Sequence, residues 1–343
     1  MFQKSENASL LNIFANFLES KSRILLVTHK NPDGDGIGAI LGLAHYLHSI
    51  QKKFRIVVTP NLPANLTFLD SNNWIEVFDP KIVHKELAIW PDAIVLIDAH
   101  EPERMGLMYS IFDTSNAEKA CLDHHIKDVG SIASKKFNCE LNDSTASASA
   151  ELVFDVISQK MQQPLPIAMA EAIYAGIVDD TGNFKFSNAT AKIHRLAANL
   201  IEQGVSPSRT YQNLYSQGRP ARLKIFSRAF DNMVILGNGR YIRMSITMDD
   251  LMACGADYND LGGLVNYPIE LHGIEVSCLL YELPNGKTKA SLRSRGKIDV
   301  HAICEHFGGG GHRLASGINL DNQITKAQTD IDAAVLTQIM IDD

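Results

Sequence analysis

The chain has 343 residues, 45% of them apolar, and a formal net charge of −7. This length suggests two domains, each with enough apolar material for its own core. The acidic balance excludes a protein coated in nucleic acid, though not a local basic cleft, and no apolar run reaches the 18 residues of a membrane span.

The first residues, MFQKSENASLLNIFANFLESK, lack the charged start, apolar block and cleavage site of a signal peptide. Leu10, Leu11, Phe14, Phe17 and Leu18 instead mark one face of an amphipathic helix. RILLVTH reads as a buried strand, followed by a glycine-rich turn and a helical pattern carrying Ile40, Leu43, Ala44 and Leu47. FRIVVT, DAIVLIDA and the run ending in KACLDHH are further strands. Their alternation with helical patterns predicts an α/β domain built on a mostly parallel sheet. ASASAELVFDVISQKM, PIAMAEAIYAGIVDD and ATAKIHRLAANLIEQG read as helices. Residues 1–200 form the expected first domain, and the polar residues 201–230 its linker. Residues 231–343 form a smaller α+β domain with an antiparallel sheet, where Asn238-Gly239 and Asn285-Gly286 mark hairpin turns. The five cysteines form no C-x-x-C pair and fit a reduced, cytoplasmic compartment.

Four strand or helix ends in the first half carry acids or imidazoles: His29 with Asp33 and Asp35, Asp98, Asp123-His124-His125, and Asp179-Asp180. Taken alone, each would pass as a helix cap or turn. In a parallel sheet all strand C-termini share one edge, so these groups converge there. So many like charges on one edge are destabilising without cations. Imidazole mixed with carboxylate and no thiolate suits Mn²⁺, Fe²⁺ or Zn²⁺. The donor number suits two ions sharing a carboxylate, a site for hydrolysing phosphate esters.

These motifs are specific. THKNPDGDGIGA, IDA at 97–99, LDHH and GIVDDTGNF resemble the four motifs of the DHH phosphoesterase superfamily. GGGGHRLASG, residues 308–317, is similar to the hallmark of the DHH-associated C-terminal domain. The two-domain layout is like that of the compact oligoribonuclease (nanoRNase) and phosphoadenosine-phosphate phosphatase branch. The resemblance implies that His29 and Asp33 bind one metal, that Asp35, His124 and Asp180 bind the other, and that Asp98 bridges them. It places His125 beside the scissile phosphate and makes Asp123 the group that orients the imidazoles. Arg104 matches an arginine that contacts substrate. Gly36 and Ala39 stand where the first motif usually has Ala and Ser.

Lys287, Lys289, Arg293, Arg295 and Lys297 fall within 13 residues that contain no acid. With Gly309, Gly310, Gly311 and His312 they form the expected substrate grip of the second domain. The expectation is a phosphodiesterase or phosphatase using two divalent ions, manganese foremost, with its active site in the cleft between the domains. Its substrates would be short RNA or DNA oligonucleotides, or small nucleotides such as 3′-phosphoadenosine 5′-phosphate. A homodimer is one assembly left open. The competing readings are a polyphosphate or pyrophosphate hydrolase and a non-catalytic nucleotide-binding regulator.

Overall fold

A computed structural model describes residues 2–79, 85–126 and 137–342, and its internal contacts divide the chain into two units, 1–217 and 218–343. In the first unit the elements run α1 (Phe2–Ser20), β1 (Arg23–Thr28), α2 (Gly34–Ser49), β2 (Lys53–Val58), β3 (Ile75–Val77), α3 (Lys85–Ile89), β4 (Ala93–Ile97), α4 (Tyr109–Thr114), β5 (Glu118–Asp123), β6 (Cys139–Asn142), α5 (Ser149–Ser158), α6 (Ile167–Asp180), α7 (Ala191–Glu202) and α8 (Pro207–Tyr215). The strands pair in parallel in the order β3-β2-β1-β4-β5-β6.

The central strands are continuous aliphatic runs because both faces of the sheet are covered. Ile24, Leu26, Val95 and Ile97 point into one core, packed beneath α1, α2, α5, α6 and α7. Leu25, Val27, Ile94 and Leu96 point into the other, against Leu87, Met105, Met108 and Phe112. In α1, Phe14 and Leu18 are buried as the periodicity predicts, whereas Leu10 is exposed.

Pairing of Thr28 with Ile97 and of Ile97 with Leu122 brings the ends of β1, β4 and β5 level. His29, Asp98 and Asp123 therefore lie side by side at one sheet edge. Behind them α2 packs against α6 at backbone distance. A Cβ on Gly34 would meet the Asp179 side chain at 2.6 Å, one on Gly38 the Ala172 carbonyl oxygen at 2.4 Å, and one on Gly42 the Ile173 side chain at 2.9 Å. The four-residue spacing puts these glycines on one stripe of the helix.

The second unit runs α9 (Pro220–Asp231), β7 (Val234–Leu236), β8 (Tyr241–Ile246), α10 (Met248–Cys254), β9 (Val276–Glu282), β10 (Thr288–Ser294), α11 (Val300–His306), β11 (Gly310–His312), β12 (Ala315–Leu320) and α12 (Ile324–Asp342). Both Asn-Gly hairpins form, joining β7 to β8 and β9 to β10. The sheet is mixed rather than antiparallel, because β8 and β9 pair in parallel. Residues 201–230, read as a linker, carry α8 and α9, and the boundary between units falls between those helices. None of the five cysteines forms a disulfide. Among the described residues no helix is long and apolar enough to cross a membrane.

Candidate metal centre

Among the described residues three donor groups form, all at the sheet edge: His29 with Asp33 and Asp98, Asp35 with His124 and Asp180, and Asp98 with His124 and His125. Asp98 belongs to two sets through different oxygens. Its Oδ2 lies 3.4 Å from His29 Nε2, and its Oδ1 lies 3.7 Å from His124 Nε2 and 3.8 Å from His125 Nδ1. His29 Nε2 is also 3.7 Å from Asp33 Oδ2. His124 Nε2 is 3.8 Å from Asp35 Oδ2 and 3.5 Å from Asp180 Oδ2. Such separations exceed good hydrogen bonds. They are near the roughly 3–3.5 Å between donors that each sit ~2.1 Å from one ion.

Local folding places each group. Asp98 closes β4 in the left-handed region at φ +63°, a strained conformation for a residue with a side chain. Asp33 caps α2 by accepting from Gly36 N at 3.0 Å. The absent side chain at Gly36 is required, since a Cβ would meet Thr28 Oγ1 at 2.7 Å. Asp35 is buried, and its two oxygens accept from Ser149 N at 2.6 Å and Ala150 N at 2.9 Å. His29 Nδ1 contacts the Lys30 carbonyl oxygen at 3.0 Å, which leaves Nε2 for the acids.

The electrostatics call for positive charge. Burial disfavours the His29 imidazolium, yet hydrogen bonds and charge from Asp33 and Asp98 outweigh it and push His29 up to about 10. Burial, with the charges of Asp98, Asp180 and Asp33, holds the Asp35 carboxyl well above the carboxylate range. Burial and the charges of Asp98 and Asp33 push Asp180 up to about 6 against the pull of His124. The buried His124 Nε2 has no hydrogen-bond partner although three carboxylates surround it. A divalent cation would satisfy that nitrogen and neutralise the acids, so the donor set fits the ion pair that the sequence motifs imply.

Two residues the sequence left unassigned find places. Asp179 lies outside the donor sets. Its Oδ2 accepts from Gly34 N at 2.7 Å and its Oδ1 from Tyr215 Oη at 3.0 Å. His100 Nδ1 donates to Asp123 Oδ2, so the fully buried Asp123 is held between His100 and His125. Burial raises Asp123, but these two hydrogen bonds outweigh it and hold its carboxyl below the usual range. Burial disfavours the His125 imidazolium, yet Asp123 and Asp98 outweigh it and raise His125, with Arg104 close enough to oppose them.

In the second unit, Arg293 donates from Nε to Asn266 Oδ1 at 3.0 Å, and Arg295 donates to the carbonyl oxygens of Ile269 and Leu271. The glycines divide by role. A Cβ on Gly309 would meet Gly317 O at 2.6 Å, and one on Gly311 would meet Ala315 O at 2.6 Å, so both are demanded by packing. Gly310 is exposed, has no positive φ and would meet nothing within 4 Å, so the fold gives no reason for a glycine there. His312 contributes backbone to β11, and its side chain lies outside the described residues.

Comparison with known proteins places the chain in a family. Residues 23–177 match the family model of the DHH family N-terminal domain, and residues 248–337 match the DHHA1 domain. The bifunctional oligoribonuclease and PAP phosphatase NrnA of Thermus thermophilus is 30% identical over 300 residues, 87% of this chain and 84% of that protein. Its Bacillus subtilis counterpart is 26% identical over 301 residues, 87% and 89% of the two chains. Among solved structures, an exopolyphosphatase-related protein from Bacteroides fragilis superposes with a TM-score of 0.90 at 26% identity, over 97% of each chain.

Proposed function

The chain belongs to the DHH family, and from that premise we infer that it is a phosphoester hydrolase acting on short oligonucleotides and small nucleotides such as 3′-phosphoadenosine 5′-phosphate or linear dinucleotides. The observation that carries this reading is the division of the two Asp98 oxygens between two donor sets. The family resemblance and the NrnA relatives supply the substrate class.

In this reading His29 and Asp33 hold one divalent ion, Asp35, His124 and Asp180 hold the second, and Asp98 spans both. When bound, such a pair polarises the phosphoryl group and lowers the pKa of a water for attack on phosphorus. Asp123 keeps His125 beside the scissile phosphate, and Arg104 carries positive charge toward it. The second unit grips the end of the nucleotide through Arg293, Arg295, His312 and the glycine run, where Gly310 lets the ligand approach the backbone closely. Manganese suits the mixed imidazole and carboxylate set, and cysteines without disulfides fit a cytoplasmic protein.

The test is kcat/KM with Mn²⁺ at one fixed salt concentration, for RNAs of two to about 24 nucleotides, 3′-phosphoadenosine 5′-phosphate and inorganic polyphosphate. We expect the highest efficiency at two to about five nucleotides. Longer strands gain few phosphate contacts on an acidic protein, while their ordering cost grows. Efficiency that rises with length would indicate a long-strand exonuclease. Phosphate release from polyphosphate without RNA cleavage would favour the chemistry named for the Bacteroides fragilis neighbour.

A further inference from the structure

Residues 146–150 touch three of the candidate ligands, and are linked to a fourth through Asn188, without supplying one. The Ala146 carbonyl oxygen lies 3.4 Å from His124 Nδ1. The Asn188 amide donates to the Ser147 carbonyl oxygen at 2.9 Å and to Asp180, at 3.1 Å to its carbonyl oxygen and 3.3 Å to its Oδ2. The backbone N–H groups of Ser149 and Ala150 hold the two oxygens of Asp35. The Ser149 hydroxyl donates to Asp98 Oδ1 at 3.0 Å. We propose that this segment positions the ligands of the second metal, and that the Ser149 hydroxyl fixes the carboxylate rotation by which Asp98 spans both ions. The proposal rests on the two-metal reading above.

The physical case turns on a soft torsion. The strained backbone at Asp98 fixes its Cα, but the last torsion of an aspartate is broad and nearly two-fold. A carboxylate that must offer Oδ2 beside His29 and Oδ1 beside His124 needs a separate restraint on that rotation. A carboxylate only accepts, so the Ser149 hydroxyl is the donor. Ser149 is 0% and Asp98 2% exposed, which leaves no room for bulk water to take over the contact. Partners of this kind orient metal ligands, and their loss commonly weakens metal affinity 10- to 100-fold.

The experiment compares full-length wild type with Ser149→Ala, each stripped with EDTA and dialysed. Mn²⁺ is titrated in by calorimetry and by electron paramagnetic resonance. Wild type takes up two Mn²⁺ with exchange coupling between them. Ser149→Ala keeps the backbone bond to Asp35, so the metal-free variant should melt within a few degrees of wild type. Its second Mn²⁺ should bind 10- to 100-fold more weakly with altered coupling, and kcat should recover as Mn²⁺ saturates. Unchanged affinity and coupling at both sites would overturn the role of Ser149, as would lost turnover with both sites intact. Should the alanine variant not fold, Ser149→Cys, close in volume and a weak donor, is read by the same measurements. A wild type that takes up no Mn²⁺ would overturn the two-metal reading itself, a result distinct from any difference between the variants.

Discussion

His100 Nδ1 lies 2.6 Å from Asp123 Oδ2, matching across one carboxylate the 2.7 Å contact that His125 makes with the other oxygen. Removing one donor from a fully buried carboxylate costs about 1–3 kcal/mol. We therefore expect His100→Ala to lower stability by that amount in urea unfolding, and to reduce kcat more than it raises KM, because His125 loses its fixed orientation. A variant with full stability and full kcat would mean that His125 and the His124 N–H suffice for Asp123.

The adjacent acids at the end of α6 should behave differently. Asp180 lies in a donor set with Asp35 and His124, whereas Asp179 ties Gly34 N to Tyr215. Asp180→Ala, like Asp98→Ala, should cut Mn²⁺-dependent turnover by more than the roughly 10- to 100-fold typical of losing a residue that only orients a ligand. Asp179→Ala should show chiefly a lower melting temperature, with turnover within about ten-fold. Equal losses of turnover in the two variants would place Asp179 among the ligands.

The EDTA-treated protein should melt at a higher temperature as pH falls from 8.5 to 5.5. The raised carboxyl of Asp180 costs stability as pH climbs from its unfolded value through about 6. The raised imidazole of His29 contributes stability that is complete below its unfolded value of 6.5 and is lost as pH rises toward about 10. Both groups act in the same direction in this window. Saturating Mn²⁺ binds the deprotonated donors, so it should raise the melting temperature most at high pH and flatten the trend. A metal-free protein that becomes more stable with rising pH contradicts the assigned shifts.

Gly309 and Gly310 give a paired test of the glycine run. Gly309→Ala should fold poorly, because its Cβ would sit 2.6 Å from the Gly317 carbonyl oxygen. Gly310→Ala has open space and an ordinary φ, so its stability should stay within about 0.5 kcal/mol of wild type. Its KM for a dinucleotide should rise several-fold if a ligand approaches that backbone. Unchanged KM would remove Gly310 from substrate binding. Arg295→Ala should likewise raise KM more than it lowers kcat.

Much of the first unit is legible because buried parallel strands are written as unbroken aliphatic runs, each followed at once by its polar group: Thr28 by His29, Ile97 by Asp98, Leu122 by Asp123. The short strands β3 and β6 escape such reading, since three or four residues carry too little periodicity. In the second sheet, Asn238-Gly239 and Asn285-Gly286 announce hairpins locally, but no local signal tells β8 to pair with β9 in parallel. The supporting residues are the least visible. Ser149 and Asn188 sit in polar stretches where any serine or asparagine would serve as a cap, and His100 follows Asp98 without a motif of its own. Their significance lies in contacts with residues 51, 8 and 23 positions away.

The glycine stripe of α2 has a mechanical consequence. Gly34, Gly38 and Gly42 let two antiparallel helices pack closely, backbone to backbone at Gly38, one bearing Asp35 near its start and the other Asp180 at its end. The backbone contact at Gly38 has no rotamers to relax into, so the two helices resist sliding past each other there and hold an acid at the same end of each rod. Strain introduced elsewhere in the core then reaches these acids by displacing the two helices together.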